Sequence, residues 1–279
     1  MTDKIQHIFK SMTQRGNLLY AWFPSLHTRA DLILCGEQTE DELRGVVEDI
    51  SQLLRALEQK ANCYDSHSEL ARLNATAHLA PQTVSKELWL LLRFSIEANR
   101  RTGGLFDVAV HSEPHCADTI RRIRLSEQEQ TLFFEQQGIR INLSGLLKGY
   151  ALDCIRSLLL RHQVAHALVN LGNSSVMALG HHPNGNGWKV SFADGRREED
   201  EIVLYDECLT TSGNDSEARR HIIHPLTGRL IEGKRKVAVV TSGGAEGEVL
   251  STALFAAQVG REREQLLAAF QPRIIKEVI

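Results

Sequence analysis

The sequence predicts an α+β fold, with mixed or antiparallel sheets and packed helices in a single unit. Two patterns predict it. Apolar, β-branched and alternating segments come in hairpin-like blocks. Helical segments with apolar residues at 3.6-residue spacing stand between those blocks, without the regular strand–helix alternation of a parallel α/β sheet. A third observation is bulk: 279 residues, 42% hydrophobic and 24% charged, supply a substantial core and match ordinary globular composition.

Taken in order, residues 31–36 (Asp31-Leu32-Ile33-Leu34-Cys35-Gly36) alternate toward a strand. Residues 39–57 follow as a helix, with Leu43, Val46, Val47, Ile50, Leu53, Leu54 and Leu57 at helical spacing. The run from Tyr64 to Leu70 carries Ser66-x-x-Glu69 ahead of apolar residues, a capping-box pattern that marks a helix start. A helix over 85–101 stops at Thr102-Gly103-Gly104, where glycine can cap it. Residues 130–134 and 138–143 read as the two arms of a hairpin, and a helix follows over 146–161. Strands are expected at 165–171, 175–179, 188–192 and 201–209, with Val169-Asn170-Leu171-Gly172-Asn173 entering a hairpin turn. The last third adds a strand at 236–241 and helices at 246–257 and 261–270. No internal repeat, low-complexity segment or linker interrupts this order. Residues 1–29 are read as an N-terminal extension and 30–279 as one domain.

The formal net charge of -3 argues against a generic nucleic-acid binder. The short basic runs Arg219-Arg220 and Lys234-Arg235-Lys236 read as solvated faces. No stretch is long and apolar enough to span a bilayer, and the polar N-terminus carries no cleavage signal, so a cytoplasmic location is expected. Cys35, Cys63, Cys116, Cys154 and Cys208 are odd in number, scattered and without Cys-x-x-Cys spacing, a pattern of reduced thiols.

Four segments bear on chemistry. In Ile141-Asn142-Leu143-Ser144-Gly145-Leu146-Leu147-Lys148-Gly149-Tyr150 a strand passes through small residues into a helix whose first turn holds a lysine. Backbone N–H groups at a helix start, with an ammonium nearby, favour phosphate; a plain strand–helix connection with a surface lysine fits the same residues. Glu248 and Thr252 are four apart at a helix start and share a face, which suits either Mg²⁺ with water and substrate phosphate or simple helix-end packing. His221-Ile222-Ile223-His224-Pro225-Leu226-Thr227-Gly228 is a short apolar strand ending in a turn; its histidines face opposite sides, so they do not share a metal, although one of them can act as a base. His111, His115 and Cys116 form a further cluster in a polar loop, weighed as a zinc site and set below the others.

The order of these segments carries a resemblance. Tyr64 to Asn74 is similar to Tyr-Asp-Pro-x-Ser-Glu-Leu-x-Arg-Leu-Asn, Thr102 to Asp107 to Thr-Gly-Gly-Ala-Phe-Asp, and Asn142 to Tyr150 to Asp-Leu-Gly-Ala/Gly-Ile-Ala-Lys-Gly-Tyr. Ala167-Leu168-Val169-Asn170-Leu171-Gly172, Thr211-Ser212-Gly213, His221 to Gly228 and Glu248 to Phe255 continue the series. On these motifs, over roughly residues 30–260, the chain resembles the FAD:protein FMN transferase (ApbE) family. The resemblance implies that family's T-fold-related α+β unit and its reaction, the Mg²⁺-dependent transfer of FMN from FAD to a threonine or serine of an acceptor flavoprotein with release of AMP. It implies Gly145, Glu248, Ser251 and Thr252 as metal ligands, and Tyr64, Leu105, Phe106, Asp107, Asn142 and Lys148 as residues that meet FAD. His221 is the implied catalytic residue. The chain departs from the pattern where the family's metal Asp is Glu248, where Asn142 and His224 replace two further Asp residues, and where Asn173 replaces the second glycine of Leu-Gly-Gly. These departures keep two other readings beside the transferase: a relative that binds or hydrolyses FAD without modifying a protein, and a non-enzymatic partner protein.

Overall fold

The structure, a computed structural model, describes residues 5–12, 16–192, 201–214 and 222–278. The chain begins with three antiparallel strands, β1 (Gln6–Met12), β2 (Gly16–Ser25) and β3 (Thr28–Gly36). Helix α1 (Glu40–Ala61) follows, opened by a capping box in which Thr39 and Glu42 satisfy each other's backbone N–H. Helix α2 (Glu69–Thr76) starts at Ser68, whose hydroxyl accepts from Ala71 N. The cap is therefore Ser68 and not Ser66, and Glu69 reaches out of its own helix to accept from the backbone and hydroxyl of Ser85. β4 (Gln82–Thr83) leads into α3 (Lys86–Arg101), which ends on Gly103 in the left-handed region, as the glycine pair predicts.

The hairpin expected from 130–143 is differently made. β6 (Thr131–Phe134) pairs with β5 (Ile123–Ser126) on one side and β4 on the other, while 138–143 form no strand. Ile139, Ile141 and Leu143 alternate inward, at 2%, 0% and 0% exposure, but side chains satisfy their backbone: the Asn74 amide donates to Ile141 O and accepts from Ile141 N. Ser112 Oγ accepts from Arg140 N.

α4 (Ser144–Arg161), β7 (His166–Leu171) and β8 (Ser175–Leu179) follow as expected, β7 and β8 joined through Gly172 and Asn173, both at positive φ. After β9 (Trp188–Ser191), the strand expected over 201–209 is split into β10 (Glu201–Leu204) and β11 (Cys208–Gly213) by a turn at Asp206. β12 (Lys236–Thr241), α5 (Gly244–Ala256), α6 (Arg261–Phe270) and β13 (Ile274–Val278) complete the chain.

Among the described residues one antiparallel sheet of eight strands runs in the order β1-β2-β3-β7-β8-β11-β12-β13. The segment read as an N-terminal extension thus contributes two of its strands, with Leu19, Ala21 and Phe23 in the core at 0–2% exposure. On one face, α1 packs against β2, and α4 and α5 pack against β8, β11 and β12. On the other face, the β9–β10 hairpin covers Val176, Ala178, Leu209, Ala238 and Val240 with Trp188, Phe192, Ile202 and Leu204. The sheet is therefore apolar on both sides, and the helical face holds the larger core. No described helix is long and apolar enough to cross a membrane.

Candidate active site

Where α4 begins, a cleft of about 980 Å³ opens between that helix, the β7–β8 turn, β11 and α5. Its remaining walls are the 105–111 segment, Tyr64 and the 222–230 segment. The volume is at the upper end for small-molecule sites.

The cleft floor follows from how α4 and α5 cross. A Cβ on Gly149 would lie 2.2 Å from Gly244 O, and one on Gly244 would lie 2.4 Å from Gly149 O, so the two backbones touch where only glycine fits. Asp153, one turn beyond Gly149, accepts from Gly244 N (2.7 Å) and Ala245 N (2.9 Å). Going toward the start of α4 therefore means going forward along α5, which brings Lys148 and Gly145 opposite Glu248 and Thr252. All four line the cleft.

Glu248 is 5% exposed, and its Oε1 accepts from Ser175 Oγ at 2.5 Å. Burial pushes its carboxyl up to about 7, against the opposing effects of the Lys148 ammonium, the Ser175 hydroxyl and the Gly149 backbone N–H. Lys148 Nζ donates to Ser174 Oγ. Ser212, on β11, has its Oγ 2.9 Å from both Ser251 Oγ and Thr252 Oγ1. Hydroxyl groups thus surround the Glu248 carboxylate and the Lys148 ammonium. This donor set of hard oxygens suits Mg²⁺ completed by water and phosphate, and does not suit zinc. The described residues hold no cluster of three or more His, Cys, Asp or Glu placed to bind a metal.

At the mouth, Asn142 Nδ2 donates to the Tyr64 hydroxyl (2.9 Å), and its Oδ1 accepts from Ser144 N (2.9 Å), which fixes the entry to α4. Leu105, Phe106 and Asp107 form one wall. Phe106 is held at both ends, its N–H donating to Thr102 Oγ1 and its carbonyl accepting from Asn99 Nδ2. The Asp107 carboxylate accepts from Ala109 N (2.7 Å) and lies 3.1 Å from His115 Nε2. His115 is thereby engaged with Asp107 while the Cys116 thiol accepts from Thr119, and His111 lines the cleft, its pKa lowered by burial, then Arg140 and His115.

Of the residues expected from the sequence, Tyr64, Leu105, Phe106, Asp107, Asn142, Gly145, Lys148, Glu248 and Thr252 meet around this one cleft. Ser251 does not reach it: its side chain is fully buried, bonded to Ser212 and to Glu248 O. His221 lies outside the described residues, next to Ile222, which lines the cleft. Ser174, Lys236 and His111, which line the cleft, and Ser175, which bonds Glu248 from behind it, were not expected at the site. Their sequence signals are a turn, a strand end and a polar loop, none of which distinguishes a cleft wall from a surface.

The ApbE family matches residues 26–274. The FAD:protein FMN transferase of Klebsiella pneumoniae (strain 342) is 26% identical over 256 residues, covering 79% of this chain and 80% of that protein. That of Vibrio cholerae serotype O1 is 24% identical over 253 residues, covering 79% and 75%. Among solved structures, the flavin transferase ApbE from Vibrio cholerae superposes with a TM-score of 0.76 at 19% identity, covering 99% of this chain and 93% of that one. The ApbE protein of Thermotoga maritima gives 0.75 at 19% identity, covering 95% and 90%.

Proposed function

The chain belongs to the ApbE family, and from that premise we propose that it transfers FMN from FAD to a threonine or serine of an acceptor flavoprotein, releasing AMP, with Mg²⁺ required. The observation that carries this reading is the convergence of Lys148, Glu248, Thr252 and the start of α4 on one cleft wide enough for a dinucleotide. In the reaction, the acceptor hydroxyl attacks the phosphorus of the FMN half, the phosphoanhydride bond breaks, and AMP departs with the bridging oxygen. Negative charge grows on the phosphate oxygens, so the protein's task is largely electrostatic and positional.

Lys148 and the N-terminal turn of α4 supply positive potential for those oxygens. Glu248, Thr252 and the carbonyl of Gly145 would hold Mg²⁺, which when bound would neutralise phosphate charge. Ser251, buried behind Ser212, would keep Thr252 in place instead of ligating. Tyr64, Leu105, Phe106, Asp107 and Asn142 would line the FAD, with the Phe106 backbone held rigid by Thr102 and Asn99. His221 is assigned the proton at the attacking hydroxyl or the phosphate, on the strength of the resemblance alone.

The test is to incubate the protein with FAD, Mg²⁺ and a flavoprotein acceptor, following AMP by chromatography and acceptor mass by spectrometry. AMP appearing in step with a gain of one FMN on the acceptor is expected. Lys148→Ala should lower that rate by about 100-fold, the scale for removing one donor to a developing oxyanion. AMP with no acceptor modified would replace the transferase by a hydrolase. FAD that neither binds nor breaks down would sink both.

A further inference from the structure

Glu248 carries its carboxylate one methylene beyond the family's aspartate, and the surrounding structure receives that extra length. Ser175, the first residue of β8 and fully buried, donates its hydroxyl to Glu248 Oε1 at 2.5 Å. The Gly149 backbone N–H is a second donor to the same carboxylate. Gly149 also makes room for the stem: a Cβ at that position would sit 2.5 Å from Glu248 Cγ. Ser174 Oγ, 3.4 Å from Ser175 Oγ, accepts the hydrogen bond from Lys148, which leaves the Ser175 hydroxyl for Glu248.

We propose that Ser175 is a positioning residue for Glu248, its hydroxyl forming a seat at glutamate length while Gly149 leaves room for the stem. This rests on the reading of Glu248 as a metal-binding carboxylate given above. The seat explains how an oxygen ligand can be kept at a different chain length. It also makes a counter-intuitive demand: restoring the family's aspartate weakens the site. Removing one methylene draws the carboxylate back by about 1.5 Å, far enough to break a 2.5 Å hydrogen bond. A buried carboxylate without its donor is then poorly aimed and poorly solvated.

The experiment is a Mn²⁺ titration of the full chain followed by electron paramagnetic resonance, with FAD present and acceptor absent. Wild type, Ser175→Ala, Glu248→Asp, the double variant and Glu248→Ala are compared, and thermal unfolding without metal confirms that each is folded. Ser175→Ala and Glu248→Asp should each weaken Mn²⁺ binding about tenfold and alter the bound-Mn²⁺ spectrum. The double variant should bind no worse than Glu248→Asp, because an aspartate never reaches Ser175. Binding by Glu248→Asp as tight as wild type, or effects that simply multiply in the double variant, would overturn the seat. Loss of binding in Glu248→Ala with full retention in Glu248→Asp overturns the seat and leaves the metal site standing. Retention in Glu248→Ala overturns both.

Discussion

Single residues of one type here span a wide chemical range, and the cysteines show it best. Cys116 is exposed, and the Thr119 hydroxyl, then the Asp118 backbone N–H, lower its pKa from the ordinary thiol value. Burial pushes Cys35 and Cys208 up to about 12 and Cys154 to about 11, and it raises Cys63 as well. The thiolate is the reactive form, so a lowered pKa means more nucleophile at a given pH and a raised one means almost none. Iodoacetamide at pH 8 should therefore add one label to the folded protein, on Cys116. Its rate should climb with pH and level off earlier than that of a free cysteine. Peptide mass spectrometry reads the position, and unfolding should release the other four. Labelling of Cys208 in the native state would contradict its burial against Arg156.

Between elements, the contact that aims the site is the one that binds α4 to α5. α5 starts at Gly243 with no side-chain cap of its own, and Asp153 of α4 caps it from outside. Asp153→Ala should cost about 1–2 kcal/mol, the usual loss for a cap, measured by urea unfolding. Asp153→Asn should cost less, because its amide oxygen still accepts. Burial raises the Asp153 pKa against those two N–H bonds and Arg156. A folded-state pKa above the unfolded one gives stability that is present at low pH and lost as pH rises through it. The gap between wild type and Asp153→Asn should accordingly narrow as pH rises from the ordinary carboxyl value of 3.8 through the raised one, and stay level above it. Such a cap was not legible in the sequence, because it is a relation between helices and not a pattern within one. α4 and the β7–β8 turn were legible, since apolar spacing and a Gly-Asn pair encode them locally; α5, buried on nearly every face, was legible only as a run rich in helix formers. β1 and β2 were not: Leu19, Ala21 and Phe23 face the core, but Leu18, Tyr20 and Trp22 between them are apolar too, which erases the alternation. Residues 138–143 erred the other way, alternating correctly while Asn74 and Ser112 took the place of a partner strand. Cleft residues were recoverable wherever a motif carried them, and Ser175 was missed because a serine after a turn looks like turn chemistry.

At the scale of the whole molecule, one sheet serves two cores. Along β8, Val176 and Ala178 face the β9–β10 hairpin while Met177 and Leu179 face the helices; β12 divides Ala238 and Val240 from Val237 and Val239 in the same way. The cleft opens on the helical side, so the small core supports it only by stiffening the strands. Trp188 is the keystone of that core, 1% exposed, with its indole N–H donating to Leu179 O at 3.0 Å. Trp188→Ala should lose about 3–5 kcal/mol, the range for emptying a buried aromatic site. Unfolding should remain a single transition in urea, because β8, β11 and β12 carry residues of both cores and cannot leave one without leaving the other. FAD affinity measured at low temperature, where the variant stays folded, should stay within about twofold of wild type. A two-step unfolding curve would mean that the hairpin detaches independently of the sheet. A large fall in FAD affinity with folding intact would mean that the cleft depends on the far face for more than rigidity, and that the two sides of the sheet are coupled through β8 and β11 themselves.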